Sequence, residues 1–509
     1  MLTINRPRPV ARPSEFRPRA VVIGSGFGGL AAAIRLGARG YRVTLVEKLN
    51  GPGGRAGVLR QDGFTFDLGP TIVTAPFLFE ELWALCGRRM SDEIELRAMT
   101  PFYQIRFQSG DVFNMSGDES AMQAEVARFN PGDVEGFQRF MRRSEAIYRI
   151  GFEQLGDVPF RSIIDMARIA GDLLRLDGHR SVYGLVAKYF RDERLRIVFS
   201  FHPLLIGGNP FRASAIYCLI PFLEKRWGVH FAMGGTGALV QGLVNLIESQ
   251  GGELRYGAEV ESIRVEDGAA TGVALASGET IAAHIVVSNA DSAWTLRRLV
   301  PTTARRRWTD RKIDKARYSM GLFVWHFGTK RRYDDVPHHT ILLGPRYREL
   351  LQDIFDRKRL PADFSLYLHR PTATDRSLAP NGCDAFYALS PVPNLLGGQD
   401  WRLEAEPYRR AIADTLEASV LPGLTQALAT SHVTTPLDFQ DRLNSYNGAG
   451  FSLEPTLSQS AWFRPHNACE DVRNLFLVGA GVHPGAGLPG VLSSARILDK
   501  VAPDASVFV

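Results

Sequence analysis

One stretch near the start of the chain constrains the fold more than any other. Four consecutive apolar residues, 20–23, lead directly into Gly24-x-Gly26-x-x-Gly29, and a helix-favouring segment follows over 30–36. A second apolar strand, 41–47, ends at Glu47. The first glycine allows a tight turn, the second lets a pyrophosphate approach the backbone, and the third lets helix and strand pack closely. Glu47 is placed to accept hydrogen bonds from a ribose. The segment therefore predicts a β-α-β unit that binds a dinucleotide.

Composition and charge limit the class of protein further. Of the 509 residues, 45% are hydrophobic and 22% are charged, which excludes extended disorder and suggests about three domain-sized units. The four cysteines lack C-x-x-C spacing, so neither a disulfide scaffold nor a zinc site is predicted. The net charge of +6 is mostly dispersed, so no nucleic-acid partner is expected. No apolar run is long enough to predict a transmembrane helix.

The N-terminal segment 1–19 is the exception to the dispersed charge. Arginines alternate there with prolines at Arg6, Pro7, Arg8, Pro9, Arg12, Pro13, Arg17, Pro18 and Arg19. Proline at this density prevents a helix, so a flexible or PPII-like basic tail is predicted. The tail lacks the apolar stretch of a secretory signal. It is either solvated or attracted to anionic lipid, and the sequence leaves both open.

Three further features indicate that the dinucleotide is FAD. Gly53, Gly54 and Arg55 form a second glycine-rich turn with a cation soon after the acidic residue. Segment 67–70 follows a short aromatic strand, and a strand, a glycine-rich loop and a helix follow one another over 474–498. A long cofactor that spans two parts of the chain would explain the last feature, although a helix that packs through small residues would also do so. No second strand-G-x-G-x-x-G-helix unit is present, so a separate nicotinamide domain is not predicted.

These motifs, taken together with several others, resemble the bacterial-type phytoene desaturases of the carotenoid/retinoid oxidoreductase family. The segments that carry the resemblance are 24–32, 53–55, 63–71, 201–211, 450–455, 459–467 and 477–491. They occur in the family's order and spacing from about residue 20 to about residue 500, and the C-terminal block is the most specific. Val482 departs from the family pattern, in which threonine is expected, and the basic tail is not covered.

The resemblance implies an α/β fold with a split Rossmann-type FAD-binding domain, similar to that of amine oxidases and glutathione reductase, and an inserted mixed α+β substrate domain. The implied FAD-binding segments are 20–115, 230–300 and 471–500. The substrate domain takes 116–229, which also contacts the membrane, and 301–470. Non-covalent FAD is implied as the only redox cofactor. The positions that match flavin-contacting sites are Gly24, Gly26, Gly29, Glu47, Lys48, Arg55, Val260 and Gly479.

The implied activity is stepwise desaturation of phytoene, and of partly desaturated carotenes, to neurosporene- or lycopene-type products by hydride transfer to flavin. The implied location is the cytoplasmic face of the cell membrane, where the protein would be peripheral. Without a second nucleotide fold, dioxygen or a quinone is expected to accept the electrons. Related activities stay open: another carotenoid desaturase, an isomerase, a ketolase or a non-catalytic lipid-binding flavoprotein.

The proton acceptor of such a reaction is less well indicated. Asp165 and Arg168 stand i, i+3 on a predicted amphipathic helix and share a face, so the carboxylate could take a proton; a solvated surface ion pair is the alternative. Glu454 is a second candidate. His202, His466 and His483 lack metal-ligand spacing, and no metal is predicted.

Two stretches rich in aromatic residues, 116–230 and 301–470, are expected to line an apolar substrate tunnel. Within the first, 199–231 combines aromatic with basic residues, which is the composition of an interfacial membrane anchor; buried core is the equal alternative. Apolar runs at 260–265, 271–275 and 281–287 predict a small β-meander between the two stretches.

Overall fold

The computed structural model describes residues 17–160 and 162–508. The strands of the described residues are β1 (Arg19–Ile23), β2 (Arg42–Val46), β3 (Val58–Gln61), β4 (Phe64–Asp67), β5 (Leu96–Ala98), β6 (Tyr103–Arg106), β7 (Val112–Met115), β8 (His230–Ala232), β9 (Glu253–Arg255), β10 (Val260–Glu266), β11 (Ala269–Leu275), β12 (Thr280–Ala282), β13 (Ile285–Ser288), β14 (Gly321–Thr329), β15 (His339–Leu342), β16 (Leu366–His369), β17 (Asp384–Val392), β18 (Leu428–Thr434) and β19 (Leu475–Leu477).

The α-helices of the same residues are α1 (Phe27–Ala38), α2 (Phe77–Leu85), α3 (Glu119–Phe129), α4 (Val134–Tyr148), α5 (Ile163–Arg175), α6 (Val182–Val186), α7 (Glu193–Ser200), α8 (Ile220–Trp227), α9 (Thr236–Ser249), α10 (Ser292–Trp294), α11 (Asp310–Lys315), α12 (Tyr347–Gln352), α13 (Trp401–Ser419), α14 (Leu424–Ala427), α15 (Pro436–Leu443) and α16 (Leu488–Val501). None of them is long and apolar enough to cross a membrane.

A five-stranded sheet with the order β19-β13-β1-β2-β9 forms the centre of the dinucleotide-binding part, and every strand pair in it is parallel. Parallel strands are buried on both faces, which is why β1, β13 and β19 are continuous apolar runs. Apolar residues of α1, α2, α9 and α16 cover one face. The antiparallel meander β10-β11-β12 covers the other through Val260, Ile263 and Val273.

The fingerprint residues fold as the sequence predicts. β1 ends before Gly24, α1 begins after Gly26, and β2 ends at the residue before Glu47. The first turn of α1 has no side-chain cap and no acidic residue. Its unpaired N–H groups are therefore available to an anionic ligand.

The predicted third run of the meander, 281–287, is wrong as a single strand. The chain leaves the meander after β12 and enters the parallel sheet as β13, with Ala283 and His284 between them. Both halves are β-forming and apolar residues continue across the junction. Periodicity therefore did not show that the chain changes sheets here.

A seven-stranded mixed sheet with the order β18-β14-β17-β16-β15-β6-β7 forms the centre of the rest of the chain. Its strands pair antiparallel except for β15 with β6. The predicted boundary at residue 116 does not separate the two sheets. Strands β6 and β7 precede it in the chain, yet they lie in the seven-stranded sheet. Helix α13 packs on one face of this sheet through Trp401 and Tyr408.

The interpretation of 199–231 as a membrane anchor is wrong for its core aromatics. Phe199, Phe201 and Phe231 are only 2%, 3% and 1% exposed. They pack with residues of α3, α4 and α7 in one hydrophobic cluster. The alternative, buried core, describes them.

Candidate active site

A cavity of about 550 Å³ runs from the carboxyl edge of the parallel sheet to the seven-stranded sheet. At one end it is lined by the glycine-rich loops and by charged residues. At the other end it is lined almost entirely by apolar side chains, among them Leu204, Leu205, Ile216, Leu219, Ile341, Leu366, Leu389 and Phe451. We call these the nucleotide end and the apolar end.

The glycine positions of the loop after β1 have little room for side chains. Gly24 has φ +90°, in the region that favours glycine. A Cβ at Gly29 would lie 2.0 Å from the Gly24 carbonyl oxygen, and one at Gly26 would lie 2.9 Å from Asn289 Nδ2. Gly24 and Gly26 line the cavity, whereas Gly29 packs the helix against the turn. This division of roles is the one that the sequence predicts.

Glu47 ties the end of β2 to this loop. Its Oε2 accepts hydrogen bonds from Ser25 N at 2.8 Å and Ser25 Oγ at 2.6 Å, and its Oε1 accepts one from Leu49 N at 2.9 Å. Carboxylate oxygens can accept further bonds, so a ribose diol can still be held here. Lys48 also lines the cavity, and its Nζ donates to Asp441 O at 2.9 Å. Val260 lines the same end at the start of β10.

Arg55 lines the cavity, and its surroundings suit a polar ligand. Its Nη2 donates to Ser445 Oγ at 2.7 Å, while its buried Nε has no hydrogen-bond partner. Burial lowers the pKa of Arg55, an effect that the Asp291 carboxylate opposes. Asp291 Oδ1 in turn accepts from Ala293 N at 3.0 Å. A buried donor without a partner is costly unless a ligand satisfies it.

Asn289 is a site residue that sequence reasoning missed. It follows β13, the strand between β1 and β19, and its Nδ2 donates to the Gly24 carbonyl at 3.4 Å. A Cβ at Gly28 or at Gly479 would lie 2.4 or 2.7 Å from its Oδ1. Its position at the carboxyl end of an apolar strand is the feature that could have identified it.

The C-terminal glycine-rich loop closes the nucleotide end. Gly479 follows β19 with φ +99°, and its N–H donates to Ser494 Oγ at 2.8 Å. Helix α16 begins after Gly487 without a side-chain cap or an acidic residue in its first turn. Leu488, Pro489 and Gly490 of that turn line the cavity. A second helix N-terminus is therefore available to the electron-rich end of a cofactor.

These features fit FAD. Two uncapped helix N-termini, the acidic residue after β2 and the unpartnered Arg55 Nε all face one cavity long enough to continue beyond them. Of the predicted flavin-contacting residues, all except Gly29 line this cavity. When bound, FAD supplies a two-electron acceptor for a hydride from the substrate. The chain supplies the orientation of that substrate and a dry surrounding.

The predicted proton acceptors have other partners in the structure. Asp165 Oδ2 accepts from Ser162 N at 2.9 Å in a capping box at the start of α5. Arg168 lies on α5, but its side chain is outside what the structure describes. Glu454 is 1% exposed, and its Oε1 lies 3.0 Å from Arg212 Nη2. Neither Asp165 nor Glu454 is among the residues that line the cavity. Their catalytic roles stay predictions.

A buried histidine cluster lies beside the apolar end. His338, His339 and His369 each offer a ring nitrogen within 4.8 Å of the others, a spacing compatible with a transition metal. However, His338 Nε2 and His369 Nε2 already share a hydrogen bond of 3.0 Å. Burial lowers the pKa of His338 to about 3, and the nearby cation of Arg370 adds to this effect. That cation would also oppose a bound dication. The sequence did not indicate the cluster, since pairing of β15 with β16 creates it.

The histidines singled out in the sequence have separate surroundings. His483 Nε2 contacts the Leu155 carbonyl at 3.1 Å, and burial lowers the pKa of His483 to about 4. His466 Nε2 contacts the Trp462 carbonyl at 3.0 Å. His202 lies 3.4 Å from Glu224.

The parallel sheet, its glycine-rich cradle and the adjoining apolar cavity define an FAD-dependent oxidoreductase. The chain belongs to the family of flavin containing amine oxidoreductases, whose model matches residues 27–497. It is 51% identical over 502 residues to the neurosporene-forming phytoene desaturase of Cereibacter sphaeroides, with 98% of this chain and 97% of that protein covered. It is 48% identical over 476 residues to the lycopene-forming phytoene desaturase of Pantoea ananas, with 93% and 97% covered.

Solved structures show the same fold at much lower identity. A putrescine oxidase variant matches with a TM-score of 0.66 at 14% identity, covering 97% of this chain and 99% of that one. Cyclohexylamine oxidase from Brevibacterium oxydans matches with a TM-score of 0.61 at 14% identity, covering 97% and 99%. These matches confirm the predicted amine-oxidase-like fold.

Proposed function

We propose that this protein is an FAD-dependent desaturase that converts phytoene stepwise to neurosporene- or lycopene-type carotenes. The observation that carries the proposal is the apolar end of the cavity, which continues directly from the flavin cradle. Relatives of about the same length that are named phytoene desaturases support the substrate.

The apolar end suits a long hydrocarbon because contact area is the main source of affinity there. Each buried CH₂ contributes about 0.8 kcal/mol, so a chain of many carbons needs no polar clamp. The lining leucines, isoleucines and phenylalanines come from α8, β15, β16, β17 and neighbouring loops. They hold the hydrocarbon in line with the flavin and exclude water, which is what desaturation asks of the protein.

Helix α5 supports delivery of the substrate from a lipid surface. Ile164 and Leu174 on this helix are 60% and 66% exposed, whereas Met166 and Ile169 line the cavity. One helix thus joins exposed apolar side chains to the cavity wall. Phytoene is far more stable in a bilayer than in water. Direct transfer from lipid to the cavity avoids its passage through water. The exposed residues of α5 support contact with a lipid surface, and the inner face of the cell membrane is the location that we propose from the family resemblance.

The membrane role of α5 is tested with the FAD-loaded protein and phosphatidylglycerol vesicles. The double variant Ile164→Asp/Leu174→Asp should sediment with the vesicles at least about tenfold less than the wild type, because each aspartate replaces an apolar contact. Leu403→Asp, at a leucine of α13 that is 72% exposed, is the matched control and should sediment normally. Equal sedimentation of the double variant and the wild type contradicts the proposal.

The activity is tested by adding phytoene in liposomes to the purified holoenzyme and identifying the pigments formed. We expect coloured carotenes when dioxygen or a quinone is present. When both acceptors are absent, added NAD⁺ should not be reduced. Flavin that stays oxidised with bound phytoene would instead support a lipid-binding flavoprotein. Stoichiometric NADH formation without other acceptors would contradict the proposed electron acceptor.

A further inference from the structure

A buried acidic residue interrupts the apolar end of the cavity. Glu224 lies on α8 and lines the cavity together with Ile220 and Leu223 of the same helix, yet it is only 2% exposed. Its Oε1 accepts a hydrogen bond from Tyr103 Oη at 2.6 Å. Its Oε2 lies 3.4 Å from His202 Nε2 without forming a hydrogen bond.

Burying Glu224 in this environment costs free energy, which a purely structural role would not require. Tyr103 and His202 are 0% and 1% exposed, so the whole cluster is withdrawn from water. Burial of a carboxylate with an unsatisfied oxygen costs free energy that a leucine or glutamine at this position would avoid. Both ring nitrogens of His202 also lack hydrogen-bond partners. Hydrogen-bonding capacity is therefore left unused in this cluster.

The other acidic residues of the cavity wall lie at the nucleotide end, and one of them, Asp291, also has an oxygen (Oδ2) without a hydrogen-bond partner. Glu47 binds Ser25 and Leu49, Glu259 lies 3.3 Å from Lys48, and Asp291 caps α10. Among the described residues that line the cavity, Glu224 is the acidic residue at the apolar end. Its neighbours Ile220 and Leu223 on α8 line the cavity too.

Polar side chains also lie between this cluster and the flavin cradle, without a continuous chain of hydrogen bonds. Thr71, which follows the turn at 67–70, contacts Tyr367 Oη through its Oγ1 at 2.6 Å. Tyr367 Oη in turn contacts His339 Nδ1 at 2.7 Å. The His339 ring lies 6.0 Å from the ring of Tyr103, which binds Glu224. Thr71 and Tyr367 line the cavity, so the polar strip follows its wall.

We infer that Glu224 is the base that accepts the proton released when the hydrocarbon is desaturated. The inference rests on the proposed function. One C–H bond would give up a hydride, for which bound oxidised FAD would supply the two-electron acceptor. The C–H bond on the neighbouring carbon gives its proton to the Glu224 carboxylate, and its electron pair becomes the new C=C bond. The proton therefore resides on Glu224 when the new double bond has formed.

The inference is tested by anaerobic single-turnover reduction of the FAD-loaded enzyme with phytoene in liposomes. Glu224→Gln should slow flavin reduction at least about 100-fold, the loss expected when a general base is removed. Glu224→Asp keeps a carboxylate and should recover a substantial part of the rate. Glu119→Gln is the matched control and should react like the wild type. Glu119 is an exposed carboxylate on α3 that pairs with Lys225, the residue after Glu224 on α8.

Two readouts that do not depend on the rate separate this role from a structural one. FAD content and the change in the flavin spectrum on phytoene binding should be the same in Glu224→Gln and wild type. Infrared difference spectra on turnover should show a carboxylic acid band in the wild type that is absent in Glu224→Gln. Normal flavin reduction in Glu224→Gln with phytoene bound overturns the inference. Absence of turnover in the wild type would overturn the proposed function instead.

Discussion

At the nucleotide end of the cavity the wall is largely backbone, whereas at the apolar end it is largely side chain. Glycines at 24, 26 and 479 bring main-chain N–H and C=O groups to the surface of the nucleotide end. The apolar end instead presents leucine, isoleucine and phenylalanine side chains from helices and strands distant in sequence. Backbone groups recognise a cofactor by fixed hydrogen-bond geometry, and apolar side chains recognise a hydrocarbon by shape and area.

The two ends of the cavity are therefore expected to tolerate amino-acid substitutions to different degrees. A single added carbon at the nucleotide end meets backbone or Asn289, neither of which can move far. An altered side chain at the apolar end removes only its own contacts. Two substitutions distinguish these cases, and a third measures the pH dependence of stability at a buried histidine.

The largest effect is expected for Gly26→Val. The branched side chain would enter the space where the pyrophosphate approaches the backbone, and its Cβ alone would lie 2.9 Å from Asn289 Nδ2. The purified variant should bind FAD at least about 100-fold more weakly, which corresponds to at least about 2.8 kcal/mol. Flavin absorbance per protein measures this. Gly51→Val, where a Cβ meets nothing within 4 Å, is the control. Full FAD occupancy in Gly26→Val would show that this loop does not hold the pyrophosphate.

A smaller effect is expected for Ile216→Asp at the apolar end. Losing contact with about two carbons of a hydrocarbon costs about 1.6 kcal/mol, so conversion of limiting phytoene should fall on the order of tenfold. FAD occupancy should not change, because Ile216 lies away from the glycine loops. Leu396→Asp, at a leucine that is 58% exposed, serves as the control. If Ile216→Asp loses its flavin as well, the two ends are not independent.

The smallest effect concerns His326, which is buried beside β4. Burial lowers its pKa to about 3, with a further contribution from His432. In the unfolded chain the histidine protonates near its usual pKa, so the unfolded state binds one more proton in mild acid and stability rises with pH. This group should cost about 1.4 kcal/mol of unfolding free energy between about pH 7.5 and about pH 5.5.

Denaturant unfolding of the holoenzyme at the two pH values measures this loss. His326→Gln should reduce the pH-dependent loss by that amount, and His179→Gln, at an exposed histidine, is the control. An identical loss in His326→Gln and wild type would show that His326 is not the group responsible.

The same contrast explains what the sequence could and could not predict. Gly24 to Glu47 forms a continuous unit whose turn, helix and strands are specified by neighbouring residues, so its structure and its ligand class are confirmed. Glu224, His202 and Tyr103 lie on three separate elements that only tertiary packing brings together. No local spacing marks such a cluster. Asp165 and Arg168 were candidates because they share a face of one helix, which is not evidence of closeness to the substrate.

The strand order of the parallel sheet determines when the cofactor site can exist during synthesis. β1 and β2 are synthesised early, but the sheet also needs β13 and finally β19. Strand β19 leads into the loop that contains Gly479. More than 400 residues of chain separate β2 from β19 and must fold or loop out before the sheet is complete. Nearly the whole polypeptide must therefore be translated before the flavin cradle closes. A nascent chain that stops short of β19 would expose the apolar edge of β13, where chaperones and other strands can bind.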